Sequence, residues 1–226
     1  MQIFFILVEP SVPENVGAAA RAIKTMGFDQ LLLVNPCDYL SGPARWLAHG
    51  SVDILENARI FSHLQEALTG FDFIIGTSAK KRSVKYDYFP LPNLPRLLQS
   101  KGNAIHNVAM VFGREESGLR NQELKRCDLV TTVPMKTEFP SLNLAQAVMI
   151  CAWELSKIDI PDKKSVPYKN EESLHVLLQK LRIVLSQTGF SERSAIFSRF
   201  LERISFLDED DIHLFHSFCN KFLEKK

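Results

Sequence analysis

The chain has 226 residues, of which 46% are apolar and 23% are charged. This length predicts one large domain or one domain with a small appendage, and the composition excludes a disordered, collagenous or low-complexity chain. Lys and Arg number 27 against 26 Asp and Glu, a formal net charge of +1. Bulk positive charge therefore does not indicate a protein that coats nucleic acid, although a local basic patch stays open because net charge does not report distribution.

The sequence contains no segment that resembles a membrane span or a signal peptide. The apolar run Ile3–Val8 is short and lacks a basic leader, and no stretch approaches the roughly 20 apolar residues of a transmembrane helix. The four cysteines, at positions 37, 127, 151 and 219, include no CxxC pair. We therefore expect a cytoplasmic protein with free thiols and neither a zinc site nor a disulfide framework.

Short apolar runs bounded by Pro, Gly, Asn or Asp recur in the first part of the chain, and helical stretches separate them. Such runs are typical of buried parallel strands. The predicted strands are Ile3–Val8, Leu31–Asn35, Phe71–Gly76, Val108–Gly113 and Leu129–Pro134, with a weaker candidate at Ala58–Phe61. The alternation predicts an α/β domain over residues 1–157, with a mostly parallel sheet covered by helices on both faces.

Two helices of this domain have clear sequence signals. Val16 and Ile23 share an apolar face with two alanines between them, Gly27 ends that helix, and Ser11 with Glu14 has capping-box spacing before it. The segment Asn143–Leu155 is apolar nearly all round, which predicts a buried helix.

The pattern changes near residue 157. Residues 158–168 contain two prolines and several charges and are interpreted as a linker. Residues 169–226 contain no strand-like run, and their leucines and phenylalanines recur at helical spacing. We predict a small helical C-terminal extension that packs on the main domain or on a partner chain, because so short a segment buries little alone.

Several common enzyme motifs are missing from the sequence. No GxGxxG follows the first predicted strand, and GxxxxGK[ST], GxSxG and HExxH do not occur. Their absence weighs against a dinucleotide-binding Rossmann site, a P-loop, an α/β-hydrolase and a zinc protease.

Three segments carry polar residues that the fold alone does not require. In the first predicted helix, Asn15, Gly17 and Arg21 follow one another, with Arg21 pointing away from the apolar face and Gly17 leaving open space beside it. The segment Phe112–Leu119 follows a strand and contains Glu115 between two glycines, where a ligand can approach the backbone. Each segment also has a purely structural interpretation. In the first, Arg21 is a solvated surface residue and the small residues serve helix packing; the second is an ordinary charged turn.

The third segment again links a strand to a helix. Val133-Pro134 ends the last predicted strand, and Ser141-Leu142-Asn143 precedes the apolar helix. Ser141 or Asn143 is placed to cap that helix, which is the purely structural interpretation of both residues. The backbone N–H groups here are equally suited to hold a ligand's carboxylate or adenine edge.

The order and spacing of the three segments resemble the motifs of the SPOUT-class RNA methyltransferases, which have a trefoil knot and use S-adenosylmethionine. Asn15, Gly17 and Arg21 match NxGxxxR, residues 112–119 match FGxExxGL, and residues 134–143 match a proline-ended strand followed by SLN. Within that class the chain is most similar to the TrmJ and LasT branch of the TrmH-like ribose 2′-O-methyltransferases, which also carries C-terminal helices.

The resemblance implies a C-terminal knot, a homodimer whose active sites are completed across the interface, and S-adenosylmethionine bound in the knot. It implies the following cofactor-binding residues: Thr77, Ser78, Ala79, Gly113, Val133, Ser141 and Leu142. The implied catalytic residues are Arg21, Asn15, Glu115, Ser141 and Asn143. Because a guanidinium has a pKa above about 12, we expect Arg21 to orient the ribose hydroxyl and stabilise the developing oxyanion, with a substrate phosphate as a candidate proton acceptor.

The densest basic and aromatic cluster follows the Thr77–Ala79 turn and is a candidate RNA-binding site. Its cations are Lys80, Lys81, Arg82 and Lys85. The leading hypothesis is ribose 2′-O-methylation of tRNA, in the anticodon loop, or of rRNA. The alternatives are methylation of a base by the same fold and a non-catalytic RNA-binding or assembly protein.

Overall fold

The computed structural model describes residues 1–80, 82–83, 85, 87–137, 142–158 and 173–224. Lys81, Ser141 and all of the predicted linker beyond residue 158 lie outside these described residues.

A seven-stranded sheet forms the centre of the domain, in the order β3-β2-β1-β6-β4-β7-β5, and every neighbouring pair is parallel. The strands are β1 (Gln2–Val8), β2 (Gln30–Val34), β3 (Arg59–Phe61), β4 (Phe73–Thr77), β5 (Phe89–Pro90), β6 (Asn107–Phe112) and β7 (Leu129–Thr132). All predicted strands are present within one or two residues. The additional strand β5 escaped prediction because two residues show no periodicity, and its proline is tolerated because the strand lies at the sheet edge.

Ten α-helices surround and follow the sheet in the described part of the chain. They are α1 (Pro13–Thr25), α2 (Gly42–Ala48), α3 (Val52–Glu56), α4 (Leu64–Ala67), α5 (Leu94–Ser100), α6 (Asn121–Leu124), α7 (Leu144–Leu155), α8 (Leu174–Gln187), α9 (Ala195–Ile204) and α10 (Glu209–Glu224). Short 3₁₀ turns occupy His49–Ser51, Leu91–Asn93 and Gly102–Ala104. None of the helices in the described part of the chain is long and apolar enough to cross a membrane.

Apolar side chains are buried on both faces of the sheet, as predicted. One face of β1, β2 and β6 packs against α1, α5 and α7, and the other packs against α4 and α6. The four cysteines are free thiols, and Cys127, Cys151 and Cys219 are buried in these clusters. No group of metal-ligating side chains occurs among the described residues.

The C-terminal helices pack on the first of these cores. Side chains of α8, α9 and α10 join the apolar cluster that contains α1 and α7. The fully buried Lys101 donates its Nζ to the carbonyl oxygen of Leu207 at 2.9 Å, just before α10. The ring of Phe206 lies 5.6 Å from that of Phe89 in β5.

Two expectations about α1 were wrong. Ser11 does not form a capping box with Glu14, because α1 begins after Val12 and the Ser11 side chain instead donates to Glu115. Gly17 does not leave open space, since a Cβ placed on it would lie 2.0 Å from the carbonyl oxygen of Ala44 in α2. The glycine in the first motif therefore allows α2 to approach the backbone of α1.

We expect Gly17→Ala to lower the free energy of unfolding by about 1–3 kcal/mol, because the new methyl group must displace α2. Chemical denaturation measures this change. Gly42→Ala is the matched control, since nothing lies within 4 Å of its added Cβ and Gly42 is also helical. If both variants unfold at the same denaturant concentration as the wild type, the packing of α2 against α1 does not require a glycine at position 17.

Candidate active site

A cavity of about 350 Å³ opens at the carboxyl ends of β4, β6 and β7. This is the edge of a parallel α/β sheet at which ligands bind. Six of the residues predicted to bind a cofactor line it together: Thr77, Ser78, Ala79, Gly113, Val133 and Leu142. Ser141, the seventh, lies outside the described residues.

Backbone contacts shape the walls of this cavity. The Thr77 hydroxyl donates to the carbonyl oxygen of Val111 at 2.9 Å, and the Ser78 N–H donates to that of Thr131 at 3.1 Å. A Cβ on Gly113 would lie 2.0 Å from the carbonyl carbon of Gly118, which itself has a φ of +65°. The loop from 113 to 119 can fold back on itself in this way only because both positions are glycines.

Polar side chains from all three motifs form one hydrogen-bonded cluster beside the cavity. Asn15 donates its Nδ2 to Glu115 Oε1 at 3.1 Å, and Asn143 donates its Nδ2 to Asn15 Oδ1 at 2.7 Å. Asn143 also caps α7, with its Oδ1 accepting from the N–H of Ala145 at 2.8 Å. Asn143 therefore caps α7 and at the same time contacts Asn15 of the first motif.

Glu115 receives hydrogen bonds from the start of α1 as well. The N–H and the hydroxyl of Ser11 both donate to its Oε2 at 3.2 Å, and the N–H of Val12 donates to Oε1 at 3.4 Å. Burial raises the pKa of this carboxyl, but the hydrogen bonds from Asn15 and Ser11 outweigh burial and leave the pKa below its usual value. A carboxylate that stays ionised and accepts this many bonds is suited to fix Asn15, and is a poor proton acceptor.

Arg21 lies apart from this cluster within the chain. It is exposed on α1, six residues beyond Asn15, which places it about 9 Å along the helix axis and turned by about 120°. Arg21 is not among the residues that line the cavity. Within the described residues, no hydrogen bond or ion pair joins Arg21 to the cluster of Asn15, Glu115 and Asn143.

The predicted basic cluster is divided by the fold. Lys80 is exposed at the rim of the cavity. Arg82 instead donates to the carbonyl oxygens of Leu119 at 2.8 Å and Ser117 at 2.9 Å. The nearly buried Lys85 donates to the carbonyl oxygen of Cys127 at 2.7 Å and lies 3.7 Å from Glu202. Lys81 lies outside the described residues.

One ion-pair network near the cavity was not predicted from the sequence. Arg114 forms paired hydrogen bonds with Glu9, at 2.6 and 2.8 Å, and with Glu123, at 2.9 and 3.0 Å. The hydrogen bonds from Arg114 hold the pKa of Glu9 below its usual value. The network ties the end of β1 to the loop after β6. A single sequence has no local signal for it, since Glu9 and Arg114 are 105 residues apart.

Comparison with known proteins identifies the class. A model of the SpoU rRNA Methylase family matches residues 2–153, and the chain therefore belongs to that family, which confirms the resemblance. A second model, of the C-terminal domain of the tRNA/rRNA methyltransferase LasT, matches residues 171–226.

Three relatives show how far the similarity extends. The chain is 39% identical over 217 residues to the uncharacterized tRNA/rRNA methyltransferase LasT of Escherichia coli K12, covering 96% of this chain and 95% of LasT. It is 40% identical over 196 residues to the tRNA (cytidine/uridine-2′-O-)-methyltransferase TrmJ of Pectobacterium atrosepticum, covering 82% and 79% of the two chains. The crystal structure of TrmJ from Z. mobilis ZM4 matches with a TM-score of 0.65 and 26% identity, over 98% of this chain and 99% of that one.

We expect Arg82→Gln to weaken binding of S-adenosylmethionine in the absence of RNA by about tenfold, or about 1.4 kcal/mol, because the loop from 117 to 119 loses its anchor. Isothermal titration calorimetry measures the affinity. Arg120→Gln is the control, since its side chain is 66% exposed and belongs to the same region. An unchanged affinity would mean that Arg82 does not position this loop.

Proposed function

We propose that the protein is an S-adenosylmethionine-dependent RNA methyltransferase that methylates a ribose 2′-hydroxyl of tRNA. The observation that carries this proposal is the cluster of Asn15, Glu115 and Asn143 beside a cavity at the strand ends. Membership of the SpoU family and about 40% identity to a protein named as a tRNA 2′-O-methyltransferase support it.

The cavity suits S-adenosylmethionine in size and in chemistry. Its volume of about 350 Å³ lies in the usual range for small-molecule sites. Apolar side chains that can flank an adenine ring line one part: Leu119, Val133, Met135, Leu142 and Leu144. The backbone of the half-buried Gly113 and Ser78 lines the cavity too, and backbone carbonyl and N–H groups are the polar partners that adenine and the amino-acid end require. Bound there, the cofactor supplies an activated sulfonium methyl group.

The chain's own residues then have to position and activate the acceptor. We propose that Arg21 orients the 2′-hydroxyl and stabilises negative charge on its oxygen, while a substrate phosphate takes the proton. Glu115 holds Asn15 through its hydrogen bonds, and Asn15 and Asn143 hold the acceptor nucleotide. Ser141 is proposed for the same task and for cofactor binding, as the resemblance implies.

A homodimer would bring Arg21 of one subunit to the cavity of the other. Arg21 is exposed on α1, which packs between α2 and α7. Each of these neighbours presents an exposed tryptophan, Trp46 at 78% and Trp153 at 52% exposure. Large apolar side chains exposed together are typical of interaction surfaces. We propose this face as the dimer interface, and a trefoil knot around the cofactor cavity.

RNA contact near the cavity is proposed for Lys80, and for Lys81 by its place in the sequence. Arg82 and Lys85 are assigned to contacts within the chain, as described above. The proposed reaction places the protein in the cytoplasm with tRNA. Methylation of rRNA, methylation of a base, and a role without catalysis are the alternatives.

The direct test maps 2′-O-methylated sites in total RNA from cells with and without the gene. We expect one tRNA position, in the anticodon loop, to lose its methyl group. Digestion of RNA methylated in vitro to nucleosides then separates a ribose product from a base product. No transfer to RNA and no binding of S-adenosylmethionine would favour the non-catalytic alternative.

We expect Arg21→Lys to lower kcat by at least about 100-fold with an unchanged affinity for S-adenosylmethionine. Lys retains the charge but lacks the planar fork that orients a hydroxyl and an oxyanion together. Single-turnover methyl transfer measures the effect. The reverse exchange, Lys24→Arg, about one turn further along α1, is the control. Near-full activity in Arg21→Lys would contradict a specific guanidinium role.

Mixed dimers test whether the site is shared. Arg21→Ala and Asn15→Ala homodimers should both be inactive. If Arg21 acts in the partner's site, random mixing of the two variants restores about a quarter of wild-type activity, because half of the dimers then contain one intact site. No recovery on mixing would place both residues in the site of one chain.

A further inference from the structure

A second cavity, of about 740 Å³, lies between the methylase domain and the C-terminal helices. On one side it is lined by the turn between α6 and β7 and by Ile74 of β4. On the other side it is lined by α8, α9 and the loop between them. We call this cavity the interdomain groove. It lies at the amino ends of β4 and β7, whereas the candidate active site lies at their carboxyl ends.

Four cations of the interdomain groove are exposed: Lys125, Arg126, Arg182 and Arg193. No ion pair joins any of them to another residue in the described ranges. They come from both parts of the chain, since two lie before β7 and two lie in or after α8.

The acidic residues of the interdomain groove offset only part of this charge. Glu202 lies 3.7 Å from Lys85, and both side chains are 10% exposed. Asp128 accepts a hydrogen bond from the N–H of Ile74 at 2.8 Å, and it also interacts electrostatically with Arg182 without forming an ion pair. Glu192 is the remaining carboxylate, and it is exposed. Four exposed cations therefore face one exposed carboxylate in a chain whose net charge is only +1.

We propose that the interdomain groove binds the phosphate backbone of the RNA substrate, so that the C-terminal helices act as half of an RNA-binding site. Unpaired Lys and Arg side chains concentrated in a groove are suited to a polyanion, and phosphate contacts position RNA without reading its sequence. The groove lies about one strand length from the active site, roughly 13 Å for the four residues of β7. A single RNA can therefore span both. This inference rests on the proposed function, which supplies RNA as the ligand.

The test replaces all four cations with glutamine in the full-length chain. We expect the affinity for unfractionated tRNA, measured by filter binding at about 0.15 M salt, to fall by roughly 100-fold. The slope of log K against log salt should decrease in magnitude by about 3, since each phosphate contact contributes about 0.7–0.9. The affinity for S-adenosylmethionine and kcat at saturating tRNA should stay unchanged, which also shows that the variant is folded.

A control variant replaces four exposed cations outside the groove: Lys24, Arg59, Arg96 and Lys221. Lys24 and Lys221 form exposed ion pairs with Asp53 and Glu224, so Arg59 and Arg96 are the closer match to the groove cations. We expect this control to change the salt slope by less than 1. The pair Arg182→Lys and Arg193→Lys should retain most of the affinity, because the charge remains. If the groove variant and the control lose the same affinity, or neither loses any, the proposal is overturned.

A failure of the groove proposal can be distinguished from a failure of the proposed function. A wild-type protein that binds tRNA through the groove but transfers no methyl group would overturn the activity and leave the groove standing. A groove variant with wild-type tRNA affinity and normal methyl transfer would overturn the groove and leave the activity standing.

Discussion

The carboxylate of Glu115 is the group on which the arrangement of the candidate active site depends. It lies in the loop after β6 and accepts hydrogen bonds from Ser11, Val12 and Asn15 at the start of α1. Asn15 in turn accepts from Asn143 at the start of α7. Asn15 is 100 residues from Glu115 and 128 residues from Asn143 in the sequence, and these contacts hold the three segments together.

Burying a carboxylate costs free energy unless its oxygens accept hydrogen bonds. Removal of one donor of this cluster therefore destabilises the arrangement of the others. The backbone N–H groups that donate to Glu115 belong to Ser11 and Val12, the two residues directly before α1. Glu115 therefore fixes the chain where it enters α1, and through its bond to Asn15 it also fixes a side chain of the first turn.

The half-buried and nearly buried cations near the cavity hold loops in place, whereas the exposed cations remain available to bind a ligand. Arg82 donates to backbone carbonyl oxygens and Arg114 pairs with Glu9 and Glu123, and both arginines thereby shape the candidate cavity from within the chain. Arg21 stays exposed on the proposed dimer face. The cations of the interdomain groove are also exposed. A net charge of +1 is thus compatible with RNA binding, because the free cations are concentrated in a few places.

Local patterns in the sequence were sufficient to predict six of the seven described strands, the first and last helices of the sheet domain, and the three motifs. Burial on both faces leaves continuous apolar runs, and glycines mark turns wherever they occur. The structure places Gly113 and Glu115 of the second motif in the lining of one cavity, and Asn15 links Glu115 to Asn143 of the third motif. Only the tertiary structure decided that Gly17 serves the contact with α2, that Arg82 faces inward, and that Arg182 joins Lys125 in a groove. Those outcomes depend on contacts between distant segments, and such contacts leave no periodic signal in a single chain.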